Sequence, residues 1–111
     1  MSAPELQIAV DTGASAVDVT VAGEIDLVTS TALKRALDGV LDRLPPPPLI
    51  RVDLTGVGFM DTSGVAVLLA IRTRALALGS RLVVSSASPF LERLFDVMGI
   101  TRFLAEQAPG D

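Results

Sequence analysis

Residues 50–71 read Ile50-Arg51-Val52-Asp53-Leu54-Thr55-Gly56-Val57-Gly58-Phe59-Met60-Asp61-Thr62-Ser63-Gly64-Val65-Ala66-Val67-Leu68-Leu69-Ala70-Ile71. Two periods meet in this stretch. Ile50, Val52 and Leu54 alternate with Arg51 and Asp53, the period-two signature of a half-buried strand. Thr55 to Met60 then reads as a loop. A helix is expected to start near Asp61 or Thr62, run through the apolar stretch to about Leu78, and stop at Gly79. Asp61 and Thr62 suit its start, because their side-chain oxygens can accept the free N–H groups of the first turn. A strand leading through a short loop into an apolar helix is half of a βαβ unit, so the fold class is α/β.

The flanks extend the pattern. Upstream, Leu6, Ile8 and Val10 alternate with Gln7 and Ala9, and Val17, Val19 and Val21 alternate with Asp18 and Thr20. The link Asp11-Thr12-Gly13-Ala14-Ser15 makes these two runs a hairpin. From Ser30 the period lengthens: Leu33, Leu37, Val40, Leu41 and Leu44 form the apolar stripe of an amphipathic helix, with Thr29 or Ser30 as its cap. Pro45 to Pro48 end it, since proline lacks the N–H and fixes φ.

Downstream, Leu82-Val83-Val84 is a short apolar strand. Ser88-Pro89 opens a third helix with Leu91, Leu94, Phe95 and Met98 as its buried stripe before Gly99. Residues 101–104 are read as one more short strand. The expected order is β-β-α-β-α-β-α with a final β, a mixed sheet of four or five strands joined by right-handed crossovers, with helices mainly on one face. One domain over residues 1–111 accounts for the pattern, its ordered core about 5–104 and its tail 105–111.

Composition removes most chemistries. The 111 residues contain neither cysteine nor histidine. Disulfides, thiol nucleophiles, the Ser-His-Asp triad and most zinc sites are therefore excluded, and no cofactor or metal is expected. The formal charge of −4 disfavours a phosphate-backbone partner, so no nucleic acid is expected. The longest apolar run, Val65 to Ile71, falls far short of the ~20 residues of a membrane span. Met1 to Leu6 shows neither the basic nor the apolar region of a secretory signal, which points to the cytoplasm.

Asp61-Thr62-Ser63-Gly64 and Asp11-Thr12-Gly13-Ala14 both match the string that presents the catalytic aspartate of aspartic proteases. The context argues against that chemistry: the second motif runs into a helix, the spacing leaves no room for two lobes, and Asp11 lies too near the start for a dimeric enzyme. Asp11 to Ser15 reads as a turn and Asp61 as a helix cap. The helix start could also attract a nucleotide or other anion, but Lys34, the only lysine, lies in the first helix.

Two motifs carry a family resemblance. Gly23-Glu24-Ile25-Asp26 is similar to the Gly-Glu-Leu-Asp of the STAS domain, the sulfate-transporter and anti-sigma-antagonist family. Val57-Gly58-Phe59-Met60-Asp61-Thr62-Ser63-Gly64 resembles its loop ending Asp-Ser-Ser-Gly, and the resemblance covers about residues 5–104. It implies a non-enzymatic anti-sigma factor antagonist that binds an anti-sigma factor serine/threonine kinase when unphosphorylated and so frees a sigma factor. The second serine of the family motif, the one phosphorylated, falls on Ser63; Thr62 stands where the first serine would be and is the lesser candidate. A serine phosphatase would reverse the switch. The surface for the partner would comprise Glu24, Asp26, Met60, Asp61, Thr62, Ser63 and Gly64, on a monomer or weak dimer. The alternative within the family is a subunit of a lipid or anion transport complex, in which Ser63 is only a cap-region residue.

Overall fold

A computed structural model describes residues 6–105. Strands β1 (Gln7–Thr12) and β2 (Val17–Ile25) form the expected hairpin. They are followed by α1 (Ser30–Leu41), β3 (Leu49–Met60), α2 (Thr62–Ala77), β4 (Arg81–Ala87), α3 (Pro89–Met98) and a single turn, α4 (Thr101–Leu104). The sheet order is β1-β2-β3-β4, with β1 antiparallel to β2 and the β2-β3 and β3-β4 pairs parallel. This is the mixed sheet anticipated, and among the described residues it has four strands.

Alternation explains the layering. Val17, Val19 and Val21 of β2 lie on the same face as Ile50, Val52 and Leu54 of β3, and all six are buried. Leu33, Leu37, Val40 and Leu41 of α1, Val65, Leu68, Ile71 and Ala75 of α2, and Leu91 and Phe95 of α3 complete one cluster with them. The opposite face carries Asp18, Thr20, Arg51 and Asp53, which stay exposed or half-buried. Asp18 stands directly across from Asp11 in the hairpin, a like-charge juxtaposition. Arg51 in β3 offsets it by donating from Nε and Nη2 to the two Asp18 carboxylate oxygens at 2.8 and 3.1 Å.

Three local expectations change. The segment Thr55–Met60 is strand, not loop: β3 continues because Gly56, Val57, Phe59 and Met60 register with Ala22, Gly23, Glu24 and Ile25 of β2. Its two glycines hide the alternation, and at Gly56 the strands approach so closely that a Cβ would lie 2.9 Å from the Ala22 Cβ. Residues 101–104 are helix rather than strand. Gly99, at φ 71°, reverses the chain, the Thr101 hydroxyl donates to Asp96 Oδ1 at 2.6 Å, and Leu104 turns into the core. Leu44 leaves the expected stripe, because α1 ends at Leu41 and places Leu44 95% exposed. Residues 106–111 of the expected tail lie outside the described region.

Elsewhere the end signals act where they were read. Gly79 follows α2 with φ 76°, the left-handed conformation that costs glycine least. Ser88 accepts the Leu91 N–H at the start of α3 and donates its hydroxyl to the Val57 carbonyl at 2.7 Å, tying that helix to β3. Within α3, Leu91 and Phe95 are buried and Leu94 is partly so, but Met98, expected in the same stripe, is 40% exposed at the last turn.

Candidate functional site

β2 and β3 run parallel and side by side, so their C-terminal ends deliver the two motifs to one place. Ile25 registers with Met60, and the Asp61 N–H donates to the Ile25 carbonyl at 3.1 Å. Asp61 leaves the strand in an extended conformation and caps α2: its Oδ1 accepts the Ser63 N–H at 2.8 Å, while its carbonyl accepts from Gly64 at 3.1 Å. Ser63 is thereby held in the first turn of α2, half-buried, with its backbone pinned. Among the described residues nothing hydrogen-bonds its hydroxyl. Thr62 beside it is exposed.

Met60 and Gly64 lie beneath this surface rather than on it. Met60 is 2% exposed, and a Cβ on Gly64 would stand 2.6 Å from Met60 Cγ and 2.7 Å from Ile25 Cγ2. Both neighbours are packed in the core. The absent side chain is what lets the start of α2 sit down on the ends of β2 and β3. These two residues therefore shape the site, whereas Glu24, Thr62 and, in part, Asp61 and Ser63 present atoms at its surface.

Asp26 has a more local task than a free surface charge. Its Oδ1 accepts the N–H groups of Val28 and Thr29, both at 2.9 Å. The Thr29 hydroxyl accepts the Asp26 N–H at 2.9 Å and donates to the Glu24 carbonyl at 2.8 Å. These bonds, the Thr29 N–H foremost, hold the Asp26 carboxyl below the ordinary carboxylate range. Thr29 is the N-cap of α1 by position, yet its side chain makes no capping bond to the helix; Asp26 braces the turn instead.

That braced turn displays two residues the sequence reading passed over. Leu27 and Val28 are 75% and 79% exposed. Near the end of β3, the ring of Phe59 meets that of Phe90 at the start of α3 with centroids 5.9 Å apart, each partly exposed. The turn after β2, the end of β3 and the start of α3 thus each carry exposed apolar side chains. The signal available in the sequence was the dipeptide Leu27-Val28 between an Asp and a Thr, too short for any periodicity to flag. No group of three metal-ligating side chains occurs among the described residues, and no helix among them is long and apolar enough to cross a membrane.

The family model for "Mlab, STAS domain" matches residues 8–106, taking in both motifs and all the elements from β1, short of its first residue, to α4. The chain belongs to the STAS domain, anti-sigma factor antagonist family. It is 34% identical over 85 residues to the anti-sigma-B factor antagonist of Listeria monocytogenes serovar 1/2a, covering 77% of this chain and 73% of that protein. The crystal structure of an anti-sigma factor antagonist from Mycobacterium paratuberculosis superposes with a TM-score of 0.77 at 29% identity, covering 94% of this chain and 87% of the other. The unphosphorylated form of the anti-sigma factor antagonist SpoIIAA shares the fold, with a TM-score of 0.74 at 18% identity over 94% of this chain and 90% of that one. In this STAS domain Gly23-Glu24-Ile25-Asp26 and Asp61-Thr62-Ser63-Gly64 stand at adjacent strand ends.

Proposed function

We propose that this STAS domain acts in the cytoplasm as an anti-sigma factor antagonist, switched by phosphorylation of Ser63. The observation that carries this reading is the Ser63 hydroxyl, carried on a backbone held by the Asp61 cap and without a hydrogen-bond partner among the described residues. The unmodified protein binds an anti-sigma factor of the serine/threonine-kinase class and displaces the sigma factor that the kinase would otherwise hold. Leu27, Val28, Phe59 and Phe90 supply the apolar contact, and Glu24 and Asp61 favour a basic rim on the partner.

In the transfer step the Ser63 oxygen attacks the γ-phosphorus of ATP bound by the kinase. The bond to the ADP leaving group breaks and the hydroxyl proton passes to a base of the kinase. The product carries about −1.5 to −2 additional charges at the centre of the contact. The helix N-terminus tolerates that charge, so the fold survives. The complex does not, because like charges face Asp61 and the phosphate must be desolvated. A serine phosphatase returns the hydroxyl.

The direct test incubates the protein with candidate anti-sigma kinases and ATP and locates the phosphate by mass spectrometry. Phosphate on Ser63, with loss of the complex, is expected. Stable co-purification with a transport ATPase and no phosphate on Ser63 would instead favour the transport-subunit reading.

A further inference from the structure

The turn between β2 and α1 is bonded from both ends. Besides the bonds between Asp26 and Thr29, the Ser30 N–H donates to the Asp26 carbonyl at 2.8 Å, and the hydroxyl of the buried Ser30 donates to the Leu27 carbonyl at 3.1 Å. The Thr29 carbonyl accepts from the Ala32 N–H at 3.0 Å. Turns favour small polar residues because their side chains can satisfy the backbone locally, and Asp26, Thr29 and Ser30 do so here. Leu27 and Val28 do none of it. Each extends into solvent, 75% and 79% exposed, from a backbone that the other three residues hold.

The same turn is anchored at the start of α2. The Asp61 N–H donates to the carbonyl of Ile25, the residue before Asp26, and Ile25 is also the side chain that a Cβ on Gly64 would strike. A partner that closes on Ser63 therefore has this turn beside it. Side chains whose backbone is already fixed lose less freedom on entering a recess, which favours binding. The Asp26 carboxylate, in contrast, is engaged at home: its Oδ1 accepts the Val28 and Thr29 N–H groups and lies 3.2 Å from the Thr29 hydroxyl.

We infer that Asp26 and Thr29 are positioning residues for recognition, which present Leu27 and Val28 as a preformed apolar anchor for a recess on the anti-sigma factor. The inference rests on the antagonist function proposed above and gives the partner's chemistry at this turn, apolar rather than basic. The competing role, Asp26 Oδ2 meeting a cation of the partner, predicts a different response to substitution.

The bracing is measured on the protein alone. Asp26→Ala should speed amide hydrogen exchange at Val28 and Thr29 by about ten-fold or more while the far-UV spectrum stays native, and Asp26→Asn, which keeps an oxygen acceptor, should restore most of the protection. Recognition is measured with an anti-sigma kinase that the wild type binds. Asp26→Ala and Thr29→Val should each weaken that complex by about ten-fold. Asp26→Asn and Thr29→Ser should recover most of the loss. With Leu27 and Val28 both changed to serine, Asp26→Ala should cost little more, because the residue acts through those two side chains.

Unchanged exchange in Asp26→Ala would overturn the inference. So would an Asp26→Asn protein that binds as weakly as Asp26→Ala, since the charge would then meet the partner directly, or an undiminished effect of Asp26→Ala in the double-serine background. All three results leave the antagonist function intact. Failure of the wild type to bind any such kinase would instead overturn that function and this inference with it.

Discussion

A side chain at Gly64 would meet Ile25 at 2.7 Å, which joins the two motifs of this protein through one missing methyl group. Gly23-Glu24-Ile25-Asp26 and Asp61-Thr62-Ser63-Gly64 are far apart in sequence, yet they form one surface because α2 settles onto the end of β2 without a Cβ between them.

Gly64→Ala is therefore expected to destabilise the fold. Alanine in an exposed helix would gain up to about 1 kcal/mol over glycine, but overpacking a closed core costs ~1–3 kcal/mol. The net loss should appear as a lower urea midpoint with an unchanged m-value. A rise in stability would show that Met60 and Ile25 can yield.

Asp61→Ala removes the acceptor of the Ser63 N–H, and loss of an N-cap typically costs about 0.5–2 kcal/mol. Asp61→Asn keeps an oxygen at the same place and should recover most of that stability. If both substitutions were equally neutral in thermal unfolding, the cap would not be what fixes Ser63.

The turn after β2 should respond to pH. The folded Asp26 carboxyl is held below its ordinary value, chiefly by the Thr29 N–H, so the group contributes stability that is present above the unfolded value of about 3.9 and lost as pH falls through the lower folded one. Asp26→Asn should therefore lower stability at neutral pH and converge on wild type in acid. Asp38 and Asp53 are shifted the same way, so the readout is the difference between the two proteins. A constant difference down to the lowest accessible pH would contradict the role of the carboxylate.

For the switch itself, Ser63→Ala should bind the partner kinase as wild type does but resist ATP-dependent release, while Ser63→Asp should bind about ten-fold or more weakly, at least ~1.4 kcal/mol. Leu27→Ser with Val28→Ser should impair binding without changing the fold, because both side chains are largely in solvent. Thr62→Val should leave phosphorylation intact. Equal binding by wild type, Ser63→Ala and Ser63→Asp would end the mechanism.

Much of this molecule was legible from residue patterns. The strands of β1 and β2, the apolar face of α1, the cap at Asp61, the stop at Gly79 and the start at Ser88-Pro89 were all marked by local chemistry. The role of Asp26 was not, because its carboxylate satisfies backbone groups of its own turn, and nothing in the order Asp-Leu-Val-Thr distinguishes a bracing carboxylate from a solvated one. Leu44 misled for a related reason. Its spacing fits the stripe of α1, but the helix closes at Asp42, whose N–H donates to the Asp38 carbonyl.

By itself the sequence determined the kinds and order of the elements as far as α3 and the place of Ser63 beside a helix cap, since burial periodicity and capping act over a few residues and leave their imprint there. Only the tertiary structure decided how far β3 runs and that residues 101–104 coil rather than extend. It also decided that Met60 and Gly64 serve from below the surface that Leu27, Val28, Phe59 and Phe90 complete. Those outcomes depend on which neighbour satisfies a backbone group or fills a space, and such neighbours come from distant parts of the chain.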